Sequence, residues 1–143
     1  MANGVYQHGI KHFARGDMKW ILDASPTAGE DTLWKTYLVD TADYTVNLAT
    51  HEFRDATGLA AGIEETSGAM TLVDAAVDGV CDASDVVFTG TAGDACEGIL
   101  VDCDQGTAAT SYLTFWWDTA AGLPVTLGGD VTVQWNASGL ATI

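Results

Sequence analysis

His51 and Glu52 are adjacent, and a His-Glu pair on a helix opens the His-Glu-x-x-His zinc site. The second imidazole is missing here, because Asp55 stands at the fifth position. His8 and His12 have the i, i+4 spacing of two ligands on one helix face. Two imidazoles still need a third ligand, which only His51 or an acid could supply, so a solvated helix face is expected. Asp102-Cys103-Asp104-Gln105-Gly106 begins like a calcium loop. Such a loop needs oxygen ligands at its first, third and fifth positions and a bidentate Glu at its twelfth. Gly106 and Leu113 occupy the last two places, so an acidic turn is expected instead.

Cysteine chemistry is equally thin. Cys81, Cys96 and Cys103 match no zinc spacing, and three thiols cannot all pair within one chain. Buried thiols made in a reducing cytoplasm are expected, with a Cys96–Cys103 bridge as the alternative. Gly90-Thr91-Ala92-Gly93 lacks the Lys-Ser/Thr of a phosphate loop. Asn136-Ala137-Ser138 fits a glycosylation acceptor, but residues 1–10 hold no apolar run of signal-peptide length. The paired acids Glu30-Asp31 and Glu64-Glu65 read as solvated loops. No nucleophile, base and orienting partner stand out together. The expectation is a protein that is not an enzyme, with no cofactor and no metal site.

The elements that would position these residues are mostly short strands. Residues 3–15 predict a helix, with Asn3 as N-cap and Gly16 as stop. Tyr6, Ile10 and Phe13 share one face of it, and Lys11 and Arg15 another. Alternation follows from Asp17, with Met18, Trp20 and Leu22 against Lys19 and Ile21, up to a turn at Pro26 and Gly29. Trp34–Asp40 predicts a strand. Thr50 can cap a short helix from His51 to Ala56, with Phe53 turned inward.

Beyond Gly58, the apolar runs Ala69–Val73, Val86–Thr89, Gly98–Cys103, Tyr112–Trp117 and Val131–Trp135 alternate with Gly/Asp turns such as Asp78-Gly79. That rhythm predicts a mainly β chain, an antiparallel β-sandwich or barrel-like domain with one or two short helices in its N-terminal part. In Tyr112–Trp117, Leu113, Phe115 and Trp117 share one face and Tyr112, Thr114 and Trp116 the other. The second aromatic face is either covered by the N-terminal segment or exposed as a subunit interface through Tyr112 and Trp116. The expected core includes Trp20, Leu38, Phe53, Leu72, Phe88, Leu100, Leu113, Phe115, Val133 and Trp135.

Charge narrows the partners. The 143 residues carry 20 acids against 5 bases, a net charge of -15. A surface of that sign repels phosphate and anionic lipid, so neither nucleic acid nor membrane is an expected partner. All the bases, Lys11, Arg15, Lys19, Lys35 and Arg54, lie within residues 1–54, which carry -2; the remainder carries -13. Excess Asp with few Lys also suits adaptation to high salt. The length fits one β-rich domain over residues 1–143, with 1–16 a helical segment packed on it or extending from it.

Taken in order, three segments resemble a family of small virion structural proteins of tailed bacteriophages. VYQHGIKHFARGDMKW is similar to that family's short helix leading through Gly into a strand. LWKTYLVDTADYTVNLATHEFRD is similar to its Leu-Val-Asp strand, Tyr-containing loop and His-Glu-Phe segment. PVTLGGDVTVQWNASGLATI resembles its closing Gly-Gly-Asp strand with a Trp. The resemblance implies a non-enzymatic particle component, most simply a capsid decoration or cement protein. Its implied partners are the major capsid protein and itself, as a homo-oligomer, most simply a trimer. It would be made in the host bacterial cytoplasm and carried on the capsid surface of the virion. Lys11, Arg15, Lys19, Lys35 and Arg54 are then the candidate capsid contacts. A tail or neck component, or a host-glycan-binding module using Trp116 or Trp117, is the alternative.

Overall fold

Trp34–Val39, Gly98–Cys103 and Tyr112–Trp117 are six-residue runs rich in β-branched and aromatic side chains, and they form the centre of the fold. The computed structural model describes residues 3–20, 33–73 and 80–142. The alternation at Ile21 and Leu22, the turn at Pro26 and Gly29, the pair Glu30-Asp31 and the Asp78-Gly79 turn lie outside them.

In chain order the described elements begin with β1 (Gly4–Val5), α1 (Gln7–Arg15), β2 (Trp34–Val39), α2 (Leu59–Gly62) and β3 (Ile63–Thr66). They continue with β4 (Leu72–Val73), β5 (Val80–Ala83), β6 (Val86–Phe88), β7 (Gly98–Cys103) and a 3-10 turn (Ala108–Thr110). The last are β8 (Tyr112–Trp117), β9 (Val131–Val133) and β10 (Ala141–Thr142). A five-stranded sheet has the order β1-β8-β7-β2-β3, and every pairing in it is antiparallel. A three-stranded sheet, β10-β5-β4, and a two-stranded one, β6-β9, complete the β structure.

The chain is therefore mainly β with short helices, and among the described residues no sheet closes into a barrel. The central sheet ends at edge strands β1, two residues long, and β3, which do not meet. Nor is it a plain two-layer sandwich, because the central sheet is buried on both faces. On one face Trp34, Leu38, Val101 and Phe115 join Met18, Cys81, Phe88 and Val133 from the smaller sheets and the N-terminal segment. On the other, Tyr37, Leu100, Leu113 and Trp116 pack against Tyr6, Tyr44 and Leu59. Complete burial of each large side chain is worth roughly 1.5–3 kcal/mol, so the two clusters dominate the stability.

The alternation expected in Tyr112–Trp117 is broken by a bulge. Val101 pairs with Phe115 while Asp102 pairs with Leu113, leaving Thr114 as the extra residue. Leu113 consequently faces the cluster of Trp116, and Tyr112 the cluster of Phe115. This corrects the placement of Leu113 beside Phe115. The carbonyl of Thr114 instead accepts the N–H of Tyr6 at 2.9 Å, tying in the chain just before α1.

The helix expected over His51–Ala56 does not form. Its backbone groups bond elsewhere: Glu52 O accepts the N–H of Leu113 at 3.0 Å, and Arg54 N–H donates to Ser111 O at 3.0 Å. Phe53 bridges Tyr112 in β fashion. The second helix is α2, a single turn further on. Asp17–Trp20, expected to open a strand, is irregular. Gly16 ends α1 in the left-handed conformation, φ 79°, as expected. Tyr6 rather than Asn3 is its N-cap, and Asn3 Oδ1 accepts the N–H groups of Asp118 and Thr119. Ile10, placed by spacing on one face with Tyr6 and Phe13, is 46% exposed; the helix buries Gly9 and His12. Of the expected core, Leu38, Phe88, Leu100, Leu113, Phe115 and Val133 are buried, while Trp20, Phe53, Leu72 and Trp135 are half-buried.

Candidate functional site

The register of the central strands puts Trp34, Cys103 and Tyr112 at one end of the sheet and Val39, Gly98 and Trp117 at the other. Six-residue strands separate those ends by roughly 17 Å. The two ends differ in charge.

At the Trp34 end, β7 carries Asp102 and Asp104 out of its last turns. Asp102 is fully buried, faces Arg54 Nη1 at 3.2 Å and accepts the Tyr37 hydroxyl at 3.0 Å. Arg54 Nη1 also donates to the Tyr37 oxygen. Arg54 Nη2 lies 3.1 Å from Asp104, whose other oxygen is 2.6 Å from Lys35 Nζ. Burial pushes the Asp102 carboxyl up to about 7, with Arg54 and Tyr37 pulling against it. Burial also acts on Asp104, but hydrogen bonds from Lys35, Gly106 and Ser111 outweigh it and hold that carboxyl down at about 2. Two acids and two bases thus meet in one network inside the chain.

Beside this network stands His12, 5% exposed, its ring tilted by 36° against that of Tyr112 with centroids 4.0 Å apart. Its Nδ1 is 2.8 Å from Asp17 and its Nε2 2.8 Å from Glu52. Ionised carboxylates only accept, so both contacts are hydrogen bonds when the ring carries both protons. The hydrogen bond from His12 lowers both carboxyls below their ordinary range. His8 Nδ1 lies 3.4 Å from the second Glu52 oxygen. The solvated histidine face expected from the i, i+4 spacing is corrected here: Gly9 lets α1 approach β8 closely enough to bury His12. Asp17–His12–Glu52 ties α1 to the segment before Arg54.

At the opposite end, among the described residues, carboxylates gather. Asp40, Glu64 and Asp94 bring one ligand atom each within 4.8 Å of the others. Backbone N–H groups hold them: Ala42 donates to Asp40 at 2.7 Å, and Asp94 to Glu64 at 3.2 Å. Glu65 accepts from Ala92, and Glu97 from Thr41. Oxygen ligands at that spacing suit a hard divalent cation. Spacing along the sequence does not join them: Asp40 follows β2, Glu64 lies in β3 rather than in the solvated loop expected for Glu64-Glu65, and Asp94 lies between β6 and β7, each more than twenty residues from the next.

The expected contact residues divide. Lys11 and Arg15 are exposed on α1, Arg15 3.4 Å from Asp17, and Lys19 is exposed just beyond. Lys35 and Arg54 are taken up by Asp102 and Asp104. All five nevertheless gather at the Trp34 end, since His12 of α1 rests on Tyr112 and the carbonyl of Lys19 accepts from Trp34 Nε1 at 3.1 Å. For the second aromatic face, coverage by the chain itself is what occurs: Trp116 is fully buried beneath Tyr6 and Tyr44, and Tyr112 lies between His12 and Phe53. Trp117 is half-buried and packs against Phe115 and Trp135. Cys81, Cys96 and Cys103 are buried and unbridged. Among the described residues no helix is long and apolar enough to cross a membrane.

Comparison of the sequence with family models and with curated proteins finds no match in either.

Proposed function

We propose that the chain is a non-enzymatic virion structural protein, a decoration or cement protein bound to the outer shell of a tailed-phage capsid. The observation that carries this reading is the gathering of every Lys and Arg at one end of the central sheet. Exposed Lys11, Arg15 and Lys19 form an attachment surface there for an acidic shell built of the major capsid protein, while Lys35 and Arg54 brace it from within. The acidic opposite end faces solvent. A central sheet sharing its core with the smaller sheets, in sandwich-like fashion, supplies the rigidity such a role needs, and three copies around a local threefold axis would complete the assembly.

The test is binding of purified protein to shells that lack it, scored by cosedimentation and by density in cryo-EM maps. The triple variant Lys11→Glu, Arg15→Glu, Lys19→Glu is expected to lose most of its occupancy at low salt while folding normally. Full occupancy by that variant would refute the attachment surface, and the absence of any density on the particle would refute the virion role.

A further inference from the structure

A cleft of about 410 Å³ opens at the acidic end of the central sheet. It lies where the chain leaves β2 and β8 and enters β7, between the loops at the ends of those strands. Val46, Leu123 and Pro124 give those walls a mostly apolar surface. Its ionisable lining consists of the carboxylates of Glu97 and Asp118, together with the Tyr44 phenol. That volume falls within the usual range for small-ligand sites, and apolar walls with a few directed polar groups are their usual make-up.

Glu97 is aimed rather than loose. Its Oε2 accepts both the backbone N–H and the hydroxyl of Thr41, at 3.0 and 3.2 Å. That leaves Oε1 with its lone pairs for another donor. Asp118 is placed by the side chain of Asn3, which accepts its N–H at 2.9 Å. Asp40, Glu64 and Asp94 stand nearby and deepen the negative potential.

An anion would be repelled from such a cleft, and a neutral apolar group would offer no donor to Glu97 Oε1. We propose that it binds an alkylammonium or alkylguanidinium group: the apolar stem against Leu123, Pro124 and Val46, the cationic head donating to Glu97. The source is a free amine or a Lys or Arg side chain presented by another protein. The site holds whether or not the chain belongs to a virion, so its test is separate from particle binding.

The experiment titrates the full ¹⁵N-labelled chain with butylammonium and follows amide shifts. Saturable shifts are expected at residues 41–46, 97 and 118–123, with little response to n-butanol or to ammonium ion. Glu97→Gln keeps an acceptor for Thr41 and is expected to weaken binding about tenfold or more. Glu64→Gln, outside the cleft, should change it less than about twofold. Leu123→Lys places a tethered ammonium in the cleft and should block the probe. A blocked peptide with one Lys decides the source: tighter binding than butylammonium indicates a protein side chain, equal or weaker binding a free amine. The proposal is overturned if n-butanol or ammonium reproduces the shifts, if they spread over all acidic surfaces, or if Glu97→Gln binds as well as the parent.

Discussion

Asp102 is removed from solvent with Arg54 Nη1 3.2 Å from its carboxylate, and the two residues come from opposite sides of the chain's charge divide. Arg54 is the last base in the sequence, and Asp102 sits in the half that has none. The fold brings them together because Phe53 bridges Tyr112, and Tyr112 pairs with Cys103 beside Asp102.

At pH 8, where Asp102 is ionised, Arg54→Met should destabilise the protein by about 3–5 kcal/mol, because it strands a buried carboxylate. The double variant Arg54→Met, Asp102→Leu should recover much of that loss, as replacing both partners of a buried pair often does. Urea unfolding of the four proteins in the cycle measures the coupling. Strict additivity would show that the pair contributes no interaction of its own.

Acid and neutral pH should act on the two aspartates in opposite senses. The Asp104 carboxyl is held at about 2, below its ordinary 3.8, so its stabilisation is present above pH 4 and lost as pH falls toward 2. The Asp102 carboxyl is raised from 3.8 to about 7, so its contribution is complete below pH 4 and lost as pH rises through 7. Asp104→Asn should flatten the acid limb of the stability profile, and Asp102→Asn the limb between pH 4 and 7. Denaturation midpoints from pH 2 to 8 check both. A Asp102→Asn profile parallel to the parent between pH 4 and 7 would remove Asp102 as the source of that limb.

Gly9 to Ala would ordinarily strengthen a helix by about 1 kcal/mol. Here a Cβ at position 9 would lie 2.8 Å from the carbonyl oxygen of Leu113, a backbone atom of the bulged strand. Gly9→Ala should therefore cost about 1–3 kcal/mol, through overpacking that pushes His12 off Tyr112. Thermal unfolding of this variant, with Lys11→Ala as an exposed control on the same helix, measures the effect. A stabilised Gly9→Ala protein would mean that α1 does not press on β8.

Much of this architecture was open to sequence reasoning where the signal is local. The bounds of β7 and β8 coincide with the apolar runs Gly98–Cys103 and Tyr112–Trp117. Gly16 ends α1 because a left-handed residue without a side chain is a property of the residue itself. The His51–Ala56 helix failed for the opposite reason. Thr50 and Phe53 offered a local cap and an apolar side chain, but no helix directly follows Thr50, because the backbone of 52–54 finds better partners in residues 111–113. Period-two alternation could not locate the bulge at Thr114, since a bulge is a relation between two strands.

By itself, then, the sequence determined the β character, the main strands and the crowding of positive charge into residues 1–54. Local propensity and residue order are enough for those. Only the tertiary structure decided that His12 is buried between two carboxylates, that Trp116 is covered by Tyr6 and Tyr44, and that Glu97 and Asp118 line one cleft. Each depends on residues distant in the chain meeting across a sheet. Strand register, not spacing along the sequence, sets which side chains share an end and therefore which charges meet.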